Sequence, residues 1–447
     1  MSWARCHCKL RSPLAPATRR GRRGIHSGVK LTAALLLLLL GPGVPSAAAY
    51  SVLSHEVVVD LLWADTLQPL LLHRFPGASP EDLRRAHAFA YGGSIVQDMG
   101  YYPFGDREFS NLTHYVRSGD FVLALLRDAA DLNEYSFALG ALAHYAADND
   151  GHPAINRAVA EEIPKLRRRY GQEVTYADDP RAHIQVEFGF DVTQVVKHRF
   201  PPDIYRDMIG FQVAKPLLER AFRETYGLEL QAVLKHEDLA VGSFRHAVSG
   251  VIPMFTRVAV ATHRAELVQE IPDFNRRKFV YRLTRAQYRQ NWGRDYQRPG
   301  IGARILALLF HILPKVGPFR AVDFKTPTPQ AEDLYLESMN RTVEDYRAAV
   351  APLRAGAVLE LPNRDFDTGR ETRAGEYRLT DESYARLLHR LAKQQFGGVT
   401  PELRANLLDF FATPSTPLVP KRDQGKWQRT QQELQALQDV VVPSPGQ

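Results

Sequence analysis

Apolar residues recur along this chain at the three- and four-residue intervals of amphipathic helices, and the alternation that marks strands is scarce. The pattern predicts a helix opening at Ser54, with that serine as its cap. A second opens at Ser79, where Pro80, Glu81 and Asp82 supply the proline and first-turn acids of a helix start, and runs through Tyr91 toward Gly92 and Gly93. A helix end and turn are expected around Asp98. Asp120 to Asp131, Glu134 to Asp148, Ile204 to Tyr226, Leu228 to His236, Val258 to Gln269, Glu332 to Leu353 and Ser383 to Gln394 read as further helices. Asn363 to Gly375 is a polar, turn-rich separator, and from Thr413 the chain is rich in Pro, Gln and Lys and reads as a loose tail. No internal repeat is present, and the expected fold class is mainly α.

Hydrophobic content of 45% and charged content of 24% are those of an ordinary globular protein, and a length of 447 residues suggests two or three domains at most. The basic pI of about 9.3 suggests a polyanionic partner until its source is located. Eight of the 57 Lys and Arg fall in residues 1–49, which hold no acid, so the remainder nearly balances the 50 Asp and Glu. That leader has an Arg-rich start (Arg19, Arg20, Arg22, Arg23, Lys30), an apolar run from Leu31 to Leu40, and Ala47-Ala48-Ala49 as a cleavage site. The order is that of a secretory signal peptide, and the run is about half of what a membrane span needs. The expectation is a secreted or periplasmic protein whose mature chain begins at Tyr50. Cys6 and Cys8 both lie in the leader, so the mature chain would have no disulfide and any zinc site would use His and carboxylates. Asn111-Leu112-Thr113 and Asn340-Arg341-Thr342 are glycosylation sequons, meaningful only in a eukaryotic secretory route.

Arg276 to Arg304 holds nine Lys or Arg, one acid (Asp295) and the aromatics Phe279, Tyr281, Tyr288, Trp292 and Tyr296, directly before the apolar Ile305 to Leu313. A solvated basic helix before a core helix accounts for this. Contact with an anionic membrane surface, or stacking of the aromatics on single-stranded bases, accounts for it too.

The chemistry concentrates at Ala143 to Pro153. His144, Asp148 and His152 stand at i, i+4 and i+8, each about 40° around a helix from the last, so one stripe carries two imidazoles and a carboxylate. These are donors that zinc takes. Gly151 and Pro153 predict that the helix frays near His152, turning that ring toward a different ion from the one at His144. His183 and Glu187 repeat the i, i+4 logic. His73, His87, His198, His236, His246, His263, His311 and His389 have no matching partner pattern. No Gly-x-Ser-x-Gly elbow points to a serine nucleophile instead.

Taken in order, Tyr50, His55, Asp98, His114, His144, Asp148, His152, His183 and Glu187 resemble the ligand set of the zinc-dependent phospholipase C superfamily. That superfamily also contains the amino-terminal domain of glycosylphosphatidylinositol-specific phospholipase D and the fungal single-strand-specific zinc nucleases. The resemblance covers roughly Tyr50 to Phe190. Tyr stands where the phospholipases C and nucleases often show Trp. The short spacing from Asp148 to His152 looks more like the glycosylphosphatidylinositol-specific enzyme, and Glu187 in place of Asp favours the lipase side. The resemblance implies a multi-helix catalytic domain, placed at residues 50–270, and the apolar pattern and composition add a further helical region over 271–412 and a loose tail over 413–447. It also implies three zinc ions. Asp98, His114, His144 and Asp148 would hold the first, and His152, His183 and Glu187 the second. Tyr50 and His55 would hold the third, with Asp148 bridging first and third. The implied activity is hydrolysis of a phospholipid or other phosphodiester by an activated water, with Asp98 taking its proton. Membrane-surface contact is compatible with this, and no protein partner is implied. The alternatives are a single-strand nuclease on the same scaffold and a non-catalytic, metal-stabilised binding protein.

Overall fold

The computed structural model describes residues 52–102, 104–196, 211–246, 326–412 and 424–441. Tyr50, the helix expected at Val258 to Gln269 and the basic segment Arg276 to Leu313 lie outside the described residues.

Among the described residues the fold is helical, with a single two-stranded hairpin, as the sequence pattern predicts. The helices are α1 (Val52–Leu62), α2 (Gln68–Arg74), α3 (Pro80–Gly93), α4 (Arg107–Tyr115), α5 (Ser118–Asp128), α6 (Leu132–Glu162), α7 (Pro164–Tyr170) and α8 (Pro180–Val196). After them come α9 (Lys215–Tyr226), α10 (Leu230–Val233), α11 (Glu237–His246) and α12 (Pro329–Arg354). The hairpin pairs β1 (Arg364–Asp365) with β2 (Arg370–Glu371), antiparallel, and α13 (Arg378–Lys393), α14 (Pro401–Ala412) and α15 (Gln424–Gln438) follow. No helix of the described residues is long and apolar enough to cross a membrane.

The core is built around α6, whose 31 residues are mostly buried and which packs chiefly against α3 and α12. Two glycines make the α3 crossing possible. A Cβ on Gly93 would lie 1.9 Å from the Phe137 carbonyl oxygen, and one on Gly140 would lie 2.1 Å from that of Ala90. Only a residue without a side chain permits such backbone approach. From α12, the Tyr346 hydroxyl donates to the Leu139 carbonyl at 3.0 Å, and the Thr328 amide at its start donates to Glu162 Oε1 at 2.5 Å.

Several local expectations are met and several are corrected. Ser79 caps α3 with the reciprocal Ser79–Asp82 box, and Asp98 sits in the short 3-10 turn Val96–Tyr101. Ser54 is no cap: α1 is already helical at Val52, and the Ser54 hydroxyl is buried and donates to Asp191 Oδ1 at 2.5 Å. The helix does not fray at His152 but continues through Pro153 to Glu162. Proline costs α6 one internal hydrogen bond, and burial of both flanking stretches against neighbouring helices outweighs that loss. Leu228 to His236 contains only the short α10. The segment read as a loose tail contains α15, whose Leu437 and Thr430 are buried.

Candidate metal centre

Five elements bring eight of the nine sequence-derived candidates together. From α1 comes His55, from the 3-10 turn Asp98, and from α4 His114. His144, Asp148 and His152 line one face of α6, and α8 adds His183 and Glu187. All eight are buried, with none above 3% exposure. The donor atoms form three compact groups: His55, His144 and Asp148; Asp98, His114 and His144; and His152, His183 and Glu187.

Asp148 is the hinge of the arrangement. Its Oδ2 lies 3.0 Å from His144 Nε2 and 3.4 Å from His114 Nε2, while Oδ1 lies 3.4 Å from His55 Nε2. Asp98 Oδ1 is 3.2 Å from His114 Nε2. Two donors held at 2.0 to 2.1 Å from one tetrahedral zinc stand roughly 3.4 Å apart, so these separations are those of a shared ion.

The backbone fixes which nitrogen of each ring faces inward. His114 Nδ1 donates to the Ser110 carbonyl at 2.7 Å, and His144 Nδ1 donates to the Ser94 carbonyl at 2.9 Å. Each Nε2 therefore turns a lone pair into the cluster, the tautomer a metal-ligating histidine needs. The Ser94 contact follows from the α3 and α6 crossing, because Gly93 and Gly140 are what let the end of α3 come so close. At the second group, His183 Nε2 donates to Asn156 Oδ1 at 2.8 Å, and its Nδ1 faces Glu187 Oε1 at 2.5 Å. His152 does not need a frayed helix to join this group, since α8 crosses α6 there and the His152 and His183 rings stack at 5.3 Å.

The donor set fits zinc on two further counts. His114 Nε2, His144 Nε2, both nitrogens of His152, both oxygens of Asp148, Asp98 Oδ1 and Glu187 Oε2 are buried without a hydrogen-bond partner, a cost that folded proteins rarely accept without an ion or water. The electrostatics point the same way. Burial opposes protonation of His114, yet the carboxylates of Asp148 and Asp98 raise its pKa to about 10. Burial also works against ionised Asp148, but His144, His114 and His152 hold its carboxyl well below the ordinary range. Glu187 is pushed well above its usual value by burial, and burial lowers His183 to about 4. A field that draws a proton onto an enclosed imidazole so strongly equally favours a metal cation.

Three further groups at the centre carried no sequence signal strong enough to single them out. Asn156 lies one turn beyond His152 and anchors His183. Phe366 is fully buried, with its ring centroid 5.2 Å from that of His114 and 5.9 Å from that of His144. Asp367 brings Oδ1 within 3.6 Å of His152 Nε2. The last two lie in the stretch read as a polar separator. The surface hollow lined by Arg74, Phe75, Asp82 and Asn133 shares no residue with the centre.

Residues 54–235 match the family model described as zinc dependent phospholipase C, so over that span the chain is similar to the zinc-dependent phospholipase C superfamily. That is a superfamily of zinc-dependent, phospholipase C-like hydrolases, and all eight clustered residues fall inside the matched span. No curated protein matches the chain, and no solved structure does.

Proposed function

We propose that the mature protein is an exported phosphodiesterase that hydrolyses phospholipid phosphodiester bonds with three zinc ions. Asp98, His114, His144 and Asp148 hold the first and His152, His183 and Glu187 the second. His55, Asp148 and the new N-terminus at Tyr50 hold the third. The observation that carries this reading is Asp148, whose two buried oxygens face two different sets of imidazoles with no protein donor satisfying either.

Zinc bound there supplies positive charge opposite the phosphoryl oxygens of the substrate and acidifies a water toward neutral pH. The chain does the rest. Its carbonyls at Ser110 and Ser94 hold two imidazoles in one tautomer. Asp98, with Oδ1 unpartnered, accepts the proton of the attacking water. Tyr101 lies in the field of Asp98, Asp148 and Asp367, and burial keeps its hydroxyl protonated, so it remains a donor for an anionic oxygen. Phe366, itself fully buried, packs against the rings of His114 and His144 and helps exclude bulk water from them.

The test is turnover of phosphatidylcholine liposomes and of single-stranded DNA by protein beginning at Tyr50, with and without chelator. The proposal expects lipid hydrolysis that chelator abolishes and zinc restores. Chelator-sensitive cleavage of DNA alone would make the protein a nuclease. Zinc binding without turnover of either substrate would make it a metal-stabilised binding protein.

A further inference from the structure

The hairpin after α12 is pinned against the second donor group more firmly than a connecting loop requires. Gly369 adopts a left-handed φ of +68°, and a Cβ there would lie 2.4 Å from the Asn149 carbonyl oxygen, so the turn presses directly onto α6 beside His152. The Gly369 amide donates to the Asp365 carbonyl at 2.9 Å, and the Phe366 amide donates to the His114 carbonyl at 3.2 Å. Asn156 Nδ2 donates to the Asp367 carbonyl at 2.8 Å while its Oδ1 accepts from His183, so one amide registers both the hairpin and a cluster imidazole.

These contacts leave the Asp367 carboxylate 2% exposed. Its Oδ2 accepts from the Tyr115 hydroxyl at 2.9 Å and from the Tyr377 hydroxyl. Its Oδ1 faces His152 Nε2 at 3.6 Å, on a ring that has no hydrogen-bond partner at either nitrogen. That separation is too long for a hydrogen bond and close to the roughly 3.4 Å between two donors on one zinc. Two phenols holding one oxygen and leaving the other free is the support that orients a ligating carboxylate.

We propose that Asp367 Oδ1 is a further protein donor to the ion held by His152, His183 and Glu187, contributed from outside residues 54–235. The inference rests on the zinc reading above. Four protein donors give that position the closed shell of a structural zinc site.

The test uses the full mature chain and reads zinc per chain and zinc affinity by chelator competition. Asp367→Asn keeps the shape and an acceptor for the tyrosines but weakens the donor. It is expected to weaken one ion by about 10- to 100-fold, a loss of the size that disturbing a metal site's surroundings produces. Tyr377→Phe leaves Oδ1 and the Tyr115 support in place and is expected to weaken the same ion less than Asp367→Asn does. His183→Ala and the His183→Ala, Asp367→Asn double variant lose the same single ion, because both changes act on one position. Wild-type protein without bound zinc would overturn the zinc reading and this inference together. Zinc-loaded wild type with an Asp367→Asn variant of equal stoichiometry and affinity would overturn the role of Asp367 alone.

Discussion

His144 belongs to two of the three donor groups and Asp148 offers an oxygen to each side, so neither can be removed without opening more than one position. His144→Ala and Asp148→Ala are therefore expected to lower zinc content and to reduce turnover by more than about 100-fold, beyond what loss of a supporting residue costs. Thermal stability should fall with them, because the remaining buried donors lose their common partner. Asp98→Asn keeps shape and one oxygen, so its zinc content and melting temperature should drop less than its rate. Three variants with parental metal content and turnover would refute the assignment of these residues. A second titratable residue lies apart from the centre. Burial and Glu219 raise Glu237 to about 7, against the opposing pull of Lys215. A carboxyl raised in the folded state adds stability that is fully present below its unfolded value near 4.5 and is lost as pH rises through about 7. Glu237→Gln should therefore gain in melting temperature over wild type between pH 4.5 and pH 8, and a constant difference would remove Glu237 from the pH response. At this scale the sequence was informative because the ligands of one helix stand four residues apart. Asp367 was hidden because its partners, Tyr115 and His152, are more than two hundred residues away and no local spacing announces them.

Between helices, small residues set how closely the ligand-bearing faces approach. Gly140 at the α3 crossing has no room for a methyl group, whereas Gly242 in α11 has nothing within 4 Å of a Cβ position. Gly140→Ala should destabilise by about 1 to 3 kcal/mol through forced backbone movement. It should also weaken zinc binding, since it displaces the Ser94 carbonyl that orients His144. Gly242→Ala should stabilise α11 by up to about 1 kcal/mol through helix propensity alone. Thermal unfolding of the two variants checks the contrast, and equal shifts would mean the crossing is more pliable than its geometry implies. Periodicity predicted α3, α12 and α13 within a few residues. It failed where tertiary contact overrides local preference: at Pro153, which a packed helix tolerates, at Ser54, which serves Asp191 and Tyr335 instead of a cap, and at α15, where glutamine-rich sequence folds because Leu437 has a surface to bury against.

Across the whole chain, the family match ends at residue 235, yet the core does not. Tyr335 and Tyr346 of α12 are buried against α1, α6 and α8, and the hairpin that follows roofs the donor groups, so the later helices complete the centre that the matched residues begin. The start of α1 is tied down in the same way. Asp191 Oδ2 accepts from the Leu53 amide at 3.1 Å, which fixes the first turn of α1 and with it His55, stacked on His144 at 4.4 Å. Tyr50 precedes that turn by two residues and lies outside the described residues. We expect its contribution to depend on its being the first residue. Within an uncleaved chain its nitrogen is an amide whose lone pair is delocalised into the peptide bond, a poor donor to zinc. Cleavage after Ala49 converts it to an amine that, with the Tyr50 carbonyl oxygen, can close a five-membered chelate beside His55. An α-amine with a pKa near 8 is only about one-tenth neutral at pH 7, and coordination draws the equilibrium toward that form. Because the role is a backbone one, Tyr50→Phe and Tyr50→Trp should be tolerated, while one or two added residues should remove an ion and most of the activity. Elemental analysis of protein beginning at Tyr50 and at Ala48 makes the comparison without changing a side chain. The shorter form should carry one more zinc, and equal stoichiometry with equal rates would show that the N-terminus is not a ligand.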